Sequence, residues 1–263
     1  MSAGGVRVSP AWLQLREPAD AAARSPELAE RLAEHLACAG RLVIHDLGGG
    51  SGAMGRWLAP RLPAPQHWVV HDRDADLLKL AVADRAGLPL VTLEARRTDI
   101  ACLTPADLAG ASLVTASALL DLLSAHDLAR MLRACRGRPM LLALTVLGRV
   151  SLSPADRLDA RMAAAFNAHQ RRDRRLGPDA VAAAVDGLRS TAARVLVRPS
   201  PWQLDSAHAD LAAEWLGGWV AAACEQERAL AAEADAYLER RLAQATGGEL
   251  AVTVDHADLL VLR

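Results

Sequence analysis

The residues best suited to chemistry lie in one short segment, HDLGGGSGAMG, at residues 45–55. Its acid, Asp46, closes a hydrophobic run, and four glycines follow within five positions, at Gly48, Gly49, Gly50 and Gly52. Glycine allows positive φ angles and lets a ligand approach the backbone closely, because it has no Cβ. The segment therefore predicts a turn that holds a ligand against its main chain.

Two classes of ligand fit such a turn. Gly50, Gly52 and Gly55 satisfy the pattern G-x-G-x-x-G. Asp72 lies 20 residues after Gly52, where dinucleotide-binding domains hold a ribose with an acid, so a nicotinamide- or flavin-dependent oxidoreductase is one hypothesis. Asp46 argues against it, because a carboxylate at the mouth of the turn would repel a pyrophosphate. A ligand with a cationic end and no phosphate fits better.

The turn resembles the first motif of class I S-adenosylmethionine-dependent methyltransferases, an acid followed by spaced glycines: Asp46, Gly48, Gly50 and Gly52. The resemblance implies that the turn packs on the amino-acid part of the cofactor, while Asp46 helps to place the methionine ammonium. The segment VVHD resembles the second motif, which implies that Asp72 accepts hydrogen bonds from both ribose hydroxyls. Arg73, directly after it, is assigned to the same cofactor site.

Two further segments extend the resemblance. RTDI resembles the third motif, which implies that Asp99 binds the adenine amino group and Ile100 packs on the ring. LVTASALLDLL corresponds to the fourth, which implies that Ser117 and also Asp121 border the transferring methyl group. The motifs cover residues 41–147, and residues 192–263 match by topology only. The implied cofactor is S-adenosylmethionine.

The predicted strands alternate with helices in an order that would bring these residues together. Short apolar runs typical of strands buried on both faces lie at 41–46, 67–72, 88–95, 111–116 and 139–147. A helix capped by Ser25 and ending near Gly40 precedes them. The alternation predicts a parallel sheet with right-handed crossovers. Ligands of such sheets bind beyond the carboxyl ends of the strands, so we expect the acids and Ser117 to converge on one rim.

After the fifth strand the pattern becomes more helical. We predict one long helix over 153–177, another over 177–190, a strand over 192–198, a helical stretch over 206–244 broken at Gly217–Gly218, and a last strand over 251–263. The last strand should pair with 192–198, and the family resemblance implies that it inserts antiparallel between the fifth and sixth strands.

These elements predict an α/β fold class. The expected architecture is a doubly wound, mostly parallel seven-stranded sheet with helices on both faces, a Rossmann-like methyltransferase fold. Residues 1–40 are expected to form an N-terminal helical cover, and residues 41–263 the methyltransferase domain, with a helical insert at about 148–191.

Candidate acceptor-binding residues come from the helical insert and the segment after it. A polar stripe that could hydrogen-bond an acceptor, or simply face solvent, occupies one helix face at Asn167, Gln170, Arg171 and Arg174. His169 is a candidate base because an unperturbed histidine titrates near pH 6.5, and Asp121 is the second candidate. A structural role is the alternative for both. Trp202, after a Pro-Ser-Pro turn, could wall the pocket or be ordinary packing.

His45 and His71 each precede a strand-ending acid, where the family usually has an apolar residue. If Asp46 and Asp72 face the cofactor, period-two alternation turns both histidines towards the packing helices. We interpret them as core histidines and predict no metal site, since no further metal ligands accompany them.

The composition argues against several classes of partner. The formal net charge is −1, so the chain lacks the basic excess of general nucleic-acid or anionic-membrane binders. The arginine-rich run at 171–175 invites an RNA-methylating hypothesis, but Asp173 interrupts it and no aromatic residues are interleaved for base stacking. The 4 cysteines are widely spaced, which argues against disulfides or structural zinc and favours a reducing cytoplasm.

The N-terminus lacks a signal-peptide pattern, and no apolar run has the length that spans a bilayer. The abundance of arginine and alanine is typical of a GC-rich bacterial genome. We therefore predict a cytoplasmic bacterial enzyme that moves a methyl group from S-adenosylmethionine to a small-molecule acceptor. The alternatives are an RNA methyltransferase, a nicotinamide-dependent oxidoreductase and a non-catalytic cofactor-binding scaffold. The patterns predict neither the acceptor atom nor the oligomeric state.

Overall fold

One mostly parallel β-sheet forms the centre of the chain. The computed structural model describes residues 8–63, 65–84, 87, 89–189 and 193–262. Its strands are β1 (Leu42–Leu47), β2 (Gln66–Asp72), β3 (Val91–Arg97), β4 (Leu113–Ser117), β5 (Met140–Ser153), β6 (Arg194–Pro199), β7 (Trp202–Leu204) and β8 (Ala251–Leu262). Its helices are α1 (Pro10–Ala23), α2 (Pro26–Leu36), α3 (Ala53–Leu58), α4 (Ala75–Ala83), α5 (Ala125–Ala134), α6 (Asp159–Gln170), α7 (Ala180–Arg189), α8 (Ala209–Gln226) and α9 (Ala231–Thr246).

The strand order confirms the predicted topology. The order is β3-β2-β1-β4-β5-β8-β6; β1 to β5 pair in parallel, and β8 lies antiparallel between β5 and β6. Because the strand order reverses direction between β1 and β4, a crevice opens beyond the carboxyl ends of these two strands. The expected ligand site is therefore at the ends of β1 and β4.

The core occupies both faces of the sheet, as the apolar strands predict. On one face, Leu32 of α2 packs in a cluster with Ile44 of β1 and Trp68 of β2. On the other face, Met131 of α5 packs in a cluster with Leu142 of β5. The strands are consequently buried from both sides, and only their ends are available for a ligand.

The seven-stranded prediction is wrong by one strand among the described residues, because β7 pairs with the first half of β8. Trp202 lies opposite Val254, and Leu204 lies opposite Val252. This pairing is possible because β8 is 12 residues long while β6 pairs only with its second half. The Pro-Ser-Pro turn therefore leads from one strand directly into another.

The predicted helix over 153–177 is also wrong at both ends. β5 extends to Ser153, which pairs with Ala251, so the first residues of the segment belong to the sheet. Helix α6 starts only at Asp159 and ends at Gln170. Asp173 and Arg174 have φ angles of 54° and 63°, which an α-helix cannot contain. The long pairing between β5 and β8 takes precedence over the local helical propensity.

A break at Gly217–Gly218 was expected, yet α8 runs through both glycines and ends at Gln226. The stacked rings of Trp215 and Trp219, with centroids 5.1 Å apart, lie on either side of the pair and pack into the core. Tertiary packing therefore holds the helix where propensity alone would interrupt it. Within the described residues, no helix combines the length and apolar character that crossing a bilayer requires.

The continuity of α8 leads to a stability prediction. Gly218 is exposed, and a Cβ added there would meet no atom within 4 Å. Gly218→Ala should therefore stabilise the fold by about 0.5–1 kcal/mol, because alanine has less backbone entropy to lose on folding. Thermal unfolding should show a rise in Tm of roughly 2 °C. A fall in Tm would mean that the helix is interrupted at this position.

Candidate active site

The glycine turn between β1 and α3 is fixed to the end of β2. Gly48, Gly50 and Gly52 have φ angles of 63°, 52° and 83°, which confirms that this turn requires glycine. The Gly49 N–H donates to the carbonyl of His71 at 3.0 Å. The Gly50 N–H donates to Oδ2 of Asp72 at 2.9 Å. The backbone of the turn is therefore held in one shape by its neighbouring strand.

Asp46 lies beneath this turn rather than at its mouth, where the sequence had suggested it. Its side chain is fully buried, and Thr115 on β4 donates to Oδ1 at 2.7 Å. Oδ2 has no hydrogen-bond partner in the described part of the chain. Burial raises the pKa of Asp46 to about 7, although Thr115 and the charge of Arg24 act in the opposite direction. A buried carboxylate with a free oxygen favours a cationic ligand.

Gly49 leaves just enough space for this carboxylate. A Cβ on Gly49 would lie 2.5 Å from Oδ2 of Asp46 and 2.7 Å from Cγ1 of Val70. Neither atom belongs to a flexible chain end, so a side chain at this position would displace the turn or the acid. The glycine turn and Asp46 are therefore one packed unit.

Asp72 orders the backbone on both of its sides. Besides binding the Gly50 N–H, it accepts a hydrogen bond at Oδ1 from the Asp74 N–H at 2.9 Å. The side chain of Arg73 is exposed, and its carbonyl accepts a hydrogen bond from Nε of Arg97 at 3.2 Å. A groove of about 280 Å³ lies beyond the ends of β2 and β3, lined by Arg73, Asp74, Ala75, Asp76 and Arg97.

Asp99 and Ile100 continue this rim after β3. The Thr98 N–H donates to the carbonyl of Asp72 at 2.8 Å, which ties the segment to β2. Asp99 is exposed and caps a short 3₁₀ turn by accepting from the Ala101 N–H at 3.0 Å. Ile100 is half-buried and packs against the core cluster that contains α5.

Asp121 follows β4, in the same segment as Leu119, which packs against the glycine turn. A Cβ on Gly48 would lie 3.0 Å from Cδ1 of Leu119, so the segment after β4 is packed against the turn. Oδ1 of Asp121 is buried and has no partner among the described residues. Burial raises the pKa of this carboxyl to about 6, while the charges of Arg16 and Arg175 lower it. Such a value suits a group that accepts a proton near neutral pH.

The N-terminal helix α1 covers the turn. Cδ1 of Leu13 would lie 3.5 Å from a Cβ on Gly50. Both carboxylate oxygens of Glu17 accept from Arg56 of α3, at 2.7 and 2.6 Å, and Arg56 also donates to the Ser51 carbonyl at 2.6 Å. The paired arginine therefore joins the cover to the glycine turn.

Ser117, at the end of β4, contacts a residue that sequence patterns missed. Its Oγ accepts a hydrogen bond from Nη2 of Arg24 at 3.1 Å. Arg24 lies between α1 and α2 and is only 2% exposed. No periodicity or motif distinguishes Arg24 from the other arginines of the chain, so nothing in the sequence predicts that it is buried at this rim.

Trp202 lies under the cover. It is 3% exposed, and its Nε1–H donates to Oδ1 of Asp20 on α1 at 2.9 Å. The guanidinium of Arg16 lies 4.9 Å from its ring centroid. His256, which sequence patterns also missed, packs 5.5 Å away, and Nδ1 has no partner within the described residues. Burial lowers the pKa of His256 to about 4, so this ring is neutral at pH 7.

The polar side chains predicted to form one stripe on α6 contact different parts of the protein. Asn167 donates to the Gly148 carbonyl at 2.7 Å, and Gln170 has a buried Oε1 without a partner in the described chain. Nε2 of His169 instead lies 3.1 Å from Glu225, and Arg171 pairs with Asp179 at 2.7 Å. Because the helix ends at Gln170, Arg174 does not extend the stripe.

The structure thus gathers at one rim most of the residues predicted for the cofactor: Asp46, Gly48, Gly50, Gly52, Asp72, Asp99, Ile100 and Ser117. Asp121 lies on this same side of the sheet. His169 and Arg171 instead contact Glu225 and Asp179.

His45 and His71 lie in the core, as the strand alternation predicts. Nδ1 of His45 is 2.9 Å from Nε2 of His71, and Nδ1 of His71 is 3.1 Å from Oγ1 of Thr98. Burial lowers the pKa of both rings, to about 4 for His45. Among the described residues, no group of three or more His, Cys, Asp or Glu side chains could hold a metal ion.

Neither protein-family models nor curated proteins match the sequence. Solved structures do. A cyclopropane synthase from Mycobacterium tuberculosis is 14% identical over 97% of this chain and 95% of that chain, with a TM-score of 0.51. An S-adenosylmethionine-dependent methyltransferase from Geobacter sulfurreducens, in complex with S-adenosyl-L-homocysteine, is 17% identical over 97% of this chain and 99% of that chain, with a TM-score of 0.44. One from Thiobacillus denitrificans, in complex with the same ligand, is 16% identical over 98% of this chain and 100% of that chain, with a TM-score of 0.45.

At these identities the similarity concerns the fold. The match to the cyclopropane synthase and the observed strand order confirm the predicted Rossmann-like methyltransferase fold. The placement of β8 between β5 and β6 agrees with the expectation drawn from the resemblance.

The buried histidine pair leads to a prediction about acid stability. Folding lowers the pKa of His45 from an ordinary value of 6.5 to about 4. The stability that the neutral ring gives the folded state is therefore fully present above pH 6.5 and is lost as the pH falls through 4. His45→Gln cannot titrate. As the pH falls from 7 to 4, its unfolding free energy, measured by urea denaturation, should therefore fall less than that of the natural chain.

The raised pKa of Asp46 acts in the opposite direction with pH, but it is common to both proteins and cancels in the difference. His126→Gln, at an exposed position, is the matched control and should show no such difference. An equal pH dependence in all three proteins would contradict a neutral, buried His45.

Proposed function

We propose that this chain is an S-adenosylmethionine-dependent methyltransferase that methylates a small-molecule acceptor. The observation that carries the proposal is the buried Asp46 with a free carboxylate oxygen beneath a glycine turn of positive φ angles. A turn of this kind accepts a ligand at its backbone, and the carboxylate favours a cationic group on that ligand. The fold and its strand order agree with this activity.

The residues present fit the cofactor. Asp46 and the glycine turn would hold its amino-acid part, and Asp72, with Arg73 beside it, would hold the ribose. Asp72 already accepts one backbone N–H at each oxygen, and each oxygen has a second lone pair for a hydroxyl. Asp99 and Ile100 would hold the adenine, and Ser117 would border the reacting methyl group.

The bound cofactor would supply an electrophilic methyl group for transfer to a lone pair of the acceptor, with a neutral thioether as the leaving group. The proton of a hydroxyl or acidic carbon acceptor would pass to Oδ1 of Asp121, the free buried oxygen on the same rim. Helix α1, which is joined to the turn by the salt bridge between Glu17 and Arg56, would exclude water from the reacting groups. Holding the reactants aligned can lower the barrier by roughly 7–11 kcal/mol.

Several contacts favour a small acceptor over RNA. Arg171, Arg172 and Arg175 have the carboxylate partners Asp179, Glu225 and Asp173, so their charges are already compensated. On α6, Gln170 has a free buried amide oxygen that an acceptor could use. Asn167 and Trp202, which already donate to Gly148 and Asp20, are further candidates. His169 is a weaker candidate base than Asp121, because Glu225 engages it.

We also propose a cytoplasmic, bacterial enzyme in which residues 1–40 cover a domain of residues 41–263. The four cysteines are widely spaced along the chain, a pattern that favours a reducing compartment. α1 and α2 precede β1, and α1 contacts the glycine turn through Leu13 and Glu17. The helical insert at about 148–191 would supply the acceptor-binding side.

Ligand binding tests the proposal against its rivals. Isothermal calorimetry should show binding of S-adenosylhomocysteine and none of NADH. Asp46→Asn keeps the size of the side chain but removes the charge, and should weaken binding by roughly tenfold to a hundredfold, the range expected for a hydrogen bond to a charged group. Asp186→Asn, on the surface of α7, is the control and should bind normally. Binding of NADH alone would favour the oxidoreductase.

Activity tests the role of Asp121. With labelled S-adenosylmethionine and a metabolite extract, the natural chain should label a small-molecule fraction, whereas a non-catalytic scaffold would label none. For a hydroxyl or carbon acceptor, kcat should rise with pH through about 6, because the carboxylate form is the base.

Asp121→Asn should lower kcat by roughly 10²–10⁴-fold, remove that pH dependence and leave the affinity for S-adenosylhomocysteine unchanged. A variant that keeps both the rate and the pH profile would exclude Asp121 as the base. Labelling of the RNA fraction alone would exclude a small-molecule acceptor.

A further inference from the structure

Arg24 is a buried cation with most of its donors unused. Only Nη2 makes a hydrogen bond, to Oγ of Ser117, while Nε and Nη1 are buried without a partner among the described residues. Within that part of the chain, no carboxylate lies within ion-pair distance of this guanidinium, and its nearest aromatic contact is the ring of Trp57, 5.5 Å away. A charge in such surroundings is costly unless a ligand completes its contacts.

The carboxylates near Arg24 are already engaged by other groups. Asp20 accepts two hydrogen bonds from Arg16, at 2.9 and 3.0 Å, and one from Trp202. Asp258 on β8 accepts from the backbone N–H groups of Ser25 and Leu144, both at 2.8 Å. These acids lower the energy of the buried charge at a distance, but neither satisfies Nε or Nη1. Burial still lowers the pKa of Arg24.

The unused donors of Arg24 lie within electrostatic reach of Asp46, which has an unused acceptor. Arg24 is held at Ser117, at the end of β4, and Asp46 lies beside Thr115 on the neighbouring strand, two residues earlier in β4. Oδ2 of Asp46 is the free acceptor there. The hydrogen bond from the Ser25 N–H to Asp258 fixes the backbone next to Arg24, so the guanidinium is directed by the fold. The rim thus offers two donors and one acceptor of opposite charge.

A group with a carboxylate and an ammonium on one carbon matches this arrangement. A guanidinium binds a carboxylate through paired N–H donors, and a carboxylate binds an ammonium. We propose that Arg24 binds the carboxylate of the α-amino-acid end of the cofactor, opposite Asp46, and thereby couples cofactor binding to the N-terminal cover. The inference rests on the proposed function, since it assigns a partner to one end of that ligand.

Three probes separate the carboxylate from the rest of the ligand. S-adenosylhomocysteine has the carboxylate and the ammonium, decarboxylated S-adenosylmethionine lacks the carboxylate, and 5′-methylthioadenosine lacks the whole amino-acid end. Calorimetry on the full chain should show that Arg24→Met weakens binding of S-adenosylhomocysteine by roughly tenfold to a hundredfold. Binding of the other two probes should change by less than about twofold, because Arg24 contributes nothing to them.

The matched control is Arg61→Met, which removes a second guanidinium from the same Trp57 ring, at 4.7 Å. It should bind all three probes as the natural chain does. Arg24→Lys keeps the charge but not the paired donors, and should lie between the natural chain and Arg24→Met. Because Arg24→Met removes a buried charge whose Nε and Nη1 lack partners, the free variant should unfold at the same Tm as the natural chain or higher. The rise in Tm caused by S-adenosylhomocysteine should shrink.

A separate measurement tests whether Arg24 couples cofactor binding to the N-terminal cover. S-adenosylhomocysteine should increase hydrogen-exchange protection of α1 in the natural chain but not in Arg24→Met. Equal losses for all three probes, or no loss for any, would overturn the role of Arg24 while leaving the proposed function in place. A natural chain that binds no adenosyl ligand would overturn the proposed function and this inference with it.

Discussion

The free carboxylate oxygen of Asp46, buried under a turn of glycines, is the constraint on which the rest of the structure depends. A charge in this position is costly without a partner, so burial raises the pKa of the acid to about 7. The same oxygen excludes any Cβ from Gly49. The turn, the ends of β1 and β2 and the hydrogen bond from Thr115 are all arranged around this one group.

The N-terminal cover is organised by charges as well. Glu17 pairs with Arg56 beside the turn, and Asp20 pairs with Arg16 and Trp202 beneath α1. Arg24, at the end of that helix, is left without such a pair among the described residues. The carboxylates of α1 are therefore paired, whereas the guanidinium at its C-terminal end is not. The proposed role of Arg24 would link α1 to a bound ligand.

Much of the fold is encoded locally and could be predicted from the sequence. Apolar runs closed by Asp46 and Asp72 identified buried strands, and Ser25 and Pro26 marked the start of α2, where Ser25 accepts from the Leu28 N–H at 3.3 Å. The remaining features depend on partners far along the chain. The length of β5 follows from its pairing with β8, and α8 continues through its glycines because neighbouring tryptophans are packed in the core.

The residues of the candidate site likewise divide into those that a local sequence pattern predicts and those whose position depends on distant parts of the chain. Glycines and strand-ending acids have local signatures, whereas the burial of Arg24 and His256 arises only when α1, β8 and the end of β4 come together. His169 illustrates the converse: its chemistry is suitable, but Glu225 on α8 engages it, and helix periodicity gives no information about that contact. Residue type and spacing therefore predicted which residues gather at the rim better than they predicted the contacts made by α6.

Proton release on binding tests the central claim about Asp46 most directly. With a pKa of about 7, this carboxyl is roughly half protonated at pH 7, and a bound ammonium should drive off that proton. Calorimetry in buffers of different ionisation enthalpy should show release of up to roughly half a proton with S-adenosylhomocysteine, and none with 5′-methylthioadenosine. Asp46→Asn should abolish the release. The same proton balance for both ligands, or an unchanged balance in the variant, would contradict the account.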